Sequence, residues 1–162
     1  MIRIRLQIYL FINLVVLVPA LLLATLSQGQ PACIPTPYDS LGPFYQPNAP
    51  ERDRTGRGLV VYGRVLSSSG CIALAKAKIE WWSTNSQGEY DDKHRATQQV
   101  DPDGRYRYET DFPGHYTGRS PHLHVRVTAS GYRTLITQIY PKEDQKSLHT
   151  DFVITNKDSL SQ

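Results

Sequence analysis

The stretch RSPHLHVRV, residues 119–127, holds two histidines one residue apart, with Arg119 and Pro121 just ahead of them. On a strand successive side chains alternate faces, so His122 and His124 project to the same side, about 6.5–7 Å apart along the chain. Two imidazoles so placed suit a shared metal ion, and the same spacing also fits two surface histidines. Two tyrosines stand nearby in the reading. Tyr116 lies six residues before His122 in DFPGHYTGRSPHLH, a loop punctuated by Gly and Pro, and Tyr90 closes IEWWSTNSQGEY. Taken singly, each of the ten tyrosines reads as an amphipathic residue at a core edge.

The elements around these residues read as strands. LVVYGRVL (59–66), AKIEWWS (77–83), RYRYET (105–110), HLHVRVTA (122–129), RTLITQIY (133–140) and HTDFVIT (149–155) are short runs rich in β-branched and aromatic residues. Turn residues such as SSSG, DPDG and SGY separate them. Strands of this length with frequent turn signals predict an all-β fold, an antiparallel β-sandwich or barrel. No segment keeps a helical period over three turns, and no internal repeat is present. DDKHR, which contains His94, reads as a charged loop, and His94 and His149 read as surface residues. His115, beside Tyr116, is given no role. Ahead of the strands, residues 30–58 are rich in Pro, Gly and charge and predict an irregular arm wrapped over the scaffold. The domain proper spans 59–155, and 156–162 is a polar tail.

Residues 1–29 have a different character. MIRIR supplies two positive charges, an apolar run follows, and small and polar residues, SQGQPA, close it. This is the layout of a secretory signal, with cleavage expected between Ala24 and Ala32, or of an uncleaved N-terminal anchor. Either places the folded part outside the cytoplasm. Without residues 1–29 the balance is 16 Lys+Arg against 15 Asp+Glu, and no basic run or basic helix marks a nucleic-acid partner. The two cysteines, Cys33 and Cys71, are an even pair in an oxidising compartment and predict one disulfide.

From residue 43 to 140 the chain resembles the intradiol ring-cleavage dioxygenases, the catechol and protocatechuate dioxygenases. The resemblance rests on Gly42-Pro43-Phe44-Tyr45, on VYGRV followed by Gly70, and on Glu80, Trp82, Gly88 and Tyr90. It continues through Asp103, Gly104, Tyr106 and Thr110 to Pro113, Tyr116, Arg119, His122 and His124, and to Gln138 in TQIY. Any pair of these is a weak signal, whereas the joint spacing of Tyr90, Tyr116, Arg119, His122 and His124 is specific.

The resemblance implies a prealbumin-like sandwich and one non-haem Fe(3+) per chain, held by Tyr90, Tyr116, His122 and His124. The residue types agree with that ion. Phenol has a pKa near 10, so tyrosinate ligands at neutral pH need a strongly acidic metal. Zinc sites favour Cys, His, Asp and Glu, whereas two phenolates suit a hard trivalent ion. The implied substrates are a catechol and O2, the product a muconate-type diacid. Tyr116 is expected to leave the iron when the catechol binds, Arg119 to stabilise charge on the activated ring, and Gln138 to hydrogen-bond in the pocket. Pro43 and Tyr45 are expected to form pocket wall. A monomer or small oligomer is implied. The contending class is a non-catalytic exported binding module on the same sandwich, which explains fold and disulfide but not the five-residue spacing.

Overall fold

The computed structural model describes residues 33–160; the expected signal or anchor at 1–29 lies outside them. Eight strands form two four-stranded sheets. They are β1 (Leu59–Ser67), β2 (Lys78–Thr84), β3 (Tyr90–Gln99), β4 (Arg105–Thr110), β5 (Leu123–Thr128), β6 (Leu135–Ile139), β7 (Ser147–His149) and β8 (Phe152–Ile154), with a 3-10 turn at Lys157–Leu160. One sheet runs β3-β2-β5-β6, all antiparallel. In the other, β1 pairs antiparallel with β4 and parallel with both β7 and β8. The expected sandwich is present, and its second sheet is mixed rather than purely antiparallel.

Alternation along the strands builds the core. Val61 and Val65 of β1, Ile79 and Trp81 of β2, Val125 and Val127 of β5 and Phe152 and Ile154 of β8 are buried between the sheets. Trp81 stacks on Tyr108 with centroids 4.5 Å apart, and Tyr106 and Phe152 close around it. Each such side chain contributes about 1.5–3 kcal/mol by leaving water. The single run HTDFVIT becomes two strands bent at Thr150–Asp151. Gly63 permits that bend, since a Cβ there would lie 1.9 Å from the Thr150 carbonyl. The carbonyl instead accepts a hydrogen bond from the Tyr106 hydroxyl at 2.7 Å.

Strand β3 is the main departure from the sequence reading. YDDKHRATQQ is polar and looks like a loop, yet it pairs with β2 along its length. A register shift interrupts the pairing: Trp82 faces Arg95, while Thr84 faces Tyr90. Two positions on β2 therefore span five on β3, and Tyr90 and Arg95 end on the same face of the sheet.

That face points away from the sandwich core, and the arm covers it. The arm is tied to β8 by Thr36 N–H donating to the Val153 carbonyl (3.0 Å) and to β6 by Asp39 N–H donating to the Ile136 carbonyl (2.9 Å). It then crosses to the edge of β3, where Glu51 bridges Thr97, and to β4, where Arg54 bridges Glu109. Cys33 and Cys71 form the expected disulfide, which anchors the arm at the turn after β1. Covered on one face by the core and on the other by the arm, β2 is buried at every position after Lys78.

Candidate metal centre

Cross-strand register assembles the site on the arm-covered face. Arg95, Trp82, His124 and Gln138 lie in one row across β3, β2, β5 and β6. His122 stands two residues before His124, on the same side. Tyr90 comes in from the start of β3. Its hydroxyl lies 3.0 Å from His124 Nε2 and 3.3 Å from His122 Nε2, and the two Nε2 atoms are 3.2 Å apart. Three donor atoms from three separate side chains thus point at one spot.

The surroundings prepare these atoms as lone-pair donors. His122 Nδ1–H donates to the Ser120 carbonyl at 2.8 Å, which leaves Nε2 unprotonated. Burial lowers the pKa of His122. His124 is pulled down to about 4, first by burial, then by His122 and the Arg119 charge. Both imidazoles are therefore neutral at neutral pH. The His124 Nδ1 is buried with no hydrogen-bond partner of ordinary geometry, although the Ser40 backbone acts on the ring in the sense of an acceptor. Burial pushes the Tyr90 phenol up to about 12, against the opposing charges of Arg119 and Arg95.

Packing fixes the rings. Trp82 lies flat on His124, centroids 5.0 Å apart and planes 4° apart. Phe44 of the arm stacks on Tyr90 at 4.2 Å, and its carbonyl accepts a 2.6 Å hydrogen bond from the buried Arg95. Gly42 sits against the edge of His124, with φ at +72° and so little room that a Cβ would lie 2.8 Å from Cε1.

Tyr116 is placed by its ring, edge-on to Phe44 (5.3 Å) and to Tyr90 (5.4 Å). Its hydroxyl is not hydrogen-bonded to the Tyr90–His122–His124 trio among the described residues. A tight turn follows, with Arg119 N–H donating to the Tyr116 carbonyl (2.8 Å) and positive φ at both Thr117 and Gly118. This turn brings Arg119 back beside the site. Its Nη2 donates to Gln138 Oε1 and to the Tyr140 hydroxyl, both at 2.9 Å.

Other sequence expectations fall in different places. Tyr45 stands behind Trp82, its ring 5.2 Å away and its hydroxyl donating to Glu80 Oε1 at 3.0 Å. It braces the wall through Trp82 and does not touch the trio. Pro43 is exposed. His149 is exposed at the end of β7, as expected. His94 is not a surface residue: it is buried on β3 and bridges two carboxylates, Asp91 at 2.8 Å and Asp111 at 3.0 Å. The physical reason is the bulge in β3, which turns the charged run inward where Asp111 can meet it. Arg95, Asp39 and Tyr140 went unnoticed in the sequence. Arg95 and Asp39 carried no local signal, and Tyr140 stood inside TQIY without a role.

The donor set fits a hard cation. Bonds of about 2.1 Å to one ion, at angles of 90–109°, place neighbouring donors about 3.0–3.4 Å apart, and the trio spans 3.0–3.3 Å. Among the described residues no group of three or more His, Cys, Asp or Glu is placed to hold a metal, so any metal here takes phenol as well as imidazole, a set that favours Fe(III) over zinc. A cleft of about 510 Å³ runs beside Pro113, Pro121 and Pro141. It is lined by none of the four expected ligands, and the converging donors mark the chemistry better than the cavity does.

Over 155 residues the chain is 31% identical to a hydroxyquinol 1,2-dioxygenase of Rhizobium sp. (strain MTP-10005), covering 74% of this chain and 52% of that one. By sequence and by fold the chain is similar to the intradiol ring-cleavage dioxygenases. Within that family, a catechol 1,2-dioxygenase of Candida albicans is 31% identical over 157 residues, 74% of this chain and 51% of that one. The dioxygenase domain of a dioxygenase–carbohydrate-binding protein fusion from Streptomyces sp. SirexAA-E superposes with a TM-score of 0.69 at 27% identity, over 76% of this chain and 99% of that domain. The chain spans about half the length of the curated intradiol relatives it matches. No family model matches it.

Proposed function

We propose that the protein is an Fe(III)-dependent intradiol dioxygenase that cleaves catechol-type rings with O2 to muconate-type diacids. One observation carries the reading, the convergence of Tyr90 Oη, His122 Nε2 and His124 Nε2 to within 3.3 Å of one another. Tyr116, packed against Tyr90, is the fourth ligand. When bound, Fe(III) supplies the Lewis acidity that lets a chelated catecholate react at a ring carbon with dioxygen. Both oxygen atoms enter the product and no external reductant is consumed.

The chain's own residues do the rest. His122 and His124 are already neutral, so they offer lone pairs without losing protons. Tyr90 releases its proton on taking up the cation, a step that burial resists and the Arg95 and Arg119 charges assist. Tyr116, which as a ligand would be a phenolate, would take up one catechol proton when substrate displaces it from the ion. Arg119 is held by Gln138 and Tyr140, and its preset charge stabilises the negative charge that grows on the substrate. The arm, through Gly42 and Phe44, keeps water from the donors. Function outside the cytoplasm is part of the same proposal, supported by the Cys33–Cys71 disulfide.

The test is the visible spectrum of the iron-loaded protein, before and after catechol is added without oxygen. A broad tyrosinate-to-iron(III) band that shifts on catechol binding is the expected result. A protein that stays colourless after iron reconstitution overturns the reading.

A further inference from the structure

The proposed chemistry leaves the buried His94 of β3 without a use. It is 6% exposed, and each ring nitrogen faces a carboxylate: Nδ1 lies 2.8 Å from Asp91 Oδ1 and Nε2 lies 3.0 Å from Asp111 Oδ2. An ionised carboxylate only accepts, so both nitrogens donate, and the ring cannot turn without losing a bond. Neither carboxylate is loose. Asp91 Oδ1 also accepts from the His94 backbone N–H (2.9 Å), and Asp111 Oδ1 accepts from Arg57 N–H of the arm (2.9 Å). This clamp joins the two tyrosine segments, because Asp91 directly follows Tyr90 and Asp111 opens the segment that ends in Tyr116. The same segment is fastened again ahead of Tyr90. There Gly114 N–H donates to the Asn85 carbonyl (2.9 Å), Thr84 Oγ1 donates to the Gly114 carbonyl (3.0 Å), and Gly88 has no room for a Cβ beside the His115 carbonyl. The Tyr116 segment is thus held to one flank of Tyr90 at residues 84–88 and to the other by the His94 side chain.

We infer that His94 is a positioning residue: through Asp91 and Asp111 it fixes the separation of Tyr90 and Tyr116, so that Tyr116 stays within reach of the ion that Tyr90 binds. The inference rests on the ring-cleavage reading above, with Tyr116 as the fourth ligand. In that reading Tyr116 leaves the ion and returns in every cycle. Its ring packs edge-on to Tyr90 at 5.4 Å, and among the described residues its hydroxyl has no hydrogen bond to the trio that would guide the return. A fixed backbone base under the ring supplies that guidance, because it limits the excursion to side-chain rotation. The bond to Asp111 carries the effect. Asp91 and His94 sit on one strand and stay neighbours without their bond, whereas Asp111 lies 17 residues away in sequence.

The experiment compares the iron-loaded full chain with His94→Gln, His94→Asn and His94→Leu. It reads iron content, catechol kinetics and the resonance Raman spectrum excited in the tyrosinate-to-iron band, where each bound tyrosinate has its own vibrations. The Gln amide nitrogen falls near the place of Nε2 and keeps a donor toward Asp111. The Asn amide nitrogen falls near Nδ1 and keeps only the donor toward Asp91, and Leu keeps neither. Wild type and His94→Gln are expected to show two tyrosinates. His94→Asn and His94→Leu are expected to show one at equal iron content, with kcat for catechol lowered about tenfold. Lost packing alone lowers the urea midpoint of all three variants and removes neither tyrosinate. Two tyrosinates in every variant, or a His94→Gln that behaves as His94→Asn does, overturn this inference and leave the ring-cleavage reading standing. A single tyrosinate in the wild type removes Tyr116 from the donor set and overturns the inference as well. No tyrosinate in the iron-loaded wild type overturns both.

Discussion

Trp82 and His124 face each other across the β2–β5 pair, with rings 5.0 Å apart and parallel to within 4°. The stack holds one of the donor imidazoles by its whole face, so the orientation of Nε2 depends on a side chain that itself binds nothing. Trp82→Ala opens a cavity at a fully buried position and is expected to cost about 3–5 kcal/mol. Trp82→Phe keeps most of the stack and is expected to cost less. Urea midpoints measure the stability, and iron content after reconstitution measures the effect on the site.

Gly42 tests how tightly the arm is fitted to the same ring. Gly42→Ala forces a side chain into left-handed backbone, at about 1–2 kcal/mol, and brings a Cβ to 2.8 Å from His124 Cε1. The expected outcome is a modest loss of stability with a disproportionate loss of iron, read by titrating Fe(III) into the apo protein. Equal iron affinity in the two proteins would falsify the claim that Gly42 is required by the site.

Ligands and charge stabiliser are expected to separate by readout. His124→Ala and Tyr90→Phe abolish or strongly weaken the tyrosinate-to-iron band. Arg119→Met leaves the band in place and lowers kcat by about 100-fold, as loss of a preset electrostatic group does. Absorbance and steady-state kinetics on the same preparations decide the matter. A normal kcat in Arg119→Met assigns that residue to structure alone.

The buried His94 ties Asp91, next to Tyr90, to Asp111 in the segment leading to Tyr116. Burial works to raise both carboxyl pKa values, but hydrogen bonds from His94 and from backbone N–H groups outweigh it and hold both below the ordinary range. A carboxylate with a lowered folded pKa stabilises the fold fully above its unfolded value, near 3.9, and loses that contribution as pH falls through the folded value. Stability is therefore expected to drop below about pH 4. Asp111→Asn should be less stable at neutral pH and show a flatter acid limb. Urea midpoints from pH 2.5 to 7 provide the check.

Reduction of Cys33–Cys71, which closes a separation of 38 residues, is expected to cost up to about 4 kcal/mol through the unfolded chain. The loss appears in denaturation with and without a thiol reductant. The donor trio should survive, because other hydrogen bonds also fasten the arm, at Thr36, Asp39, Phe44 and Arg52.

Much of this protein was legible without coordinates. Alternating β-branched and aromatic runs between turn residues determined the all-β class, since a period of two buries one face of a strand and exposes the other. The spacing His122–x–His124 determined that two imidazoles share a side, and the two cysteines paired as their number suggested. Local pattern misled at YDDKHRATQQ, because its polar residues make a strand only where its edge pairs with β2 and where a bulge lets His94 meet Asp91 and Asp111. The arm read as an irregular wrap, but nothing in IPTPYDSLGPFY told that Phe44 would stack on Tyr90 or that Asp39 would reach Tyr140. Those contacts join positions 46 and 101 residues apart. Sequence periodicity reports which side of its own element a residue faces. Which residue of another element meets it there is decided by cross-strand register and by the path of the arm, and both exist only in the folded chain.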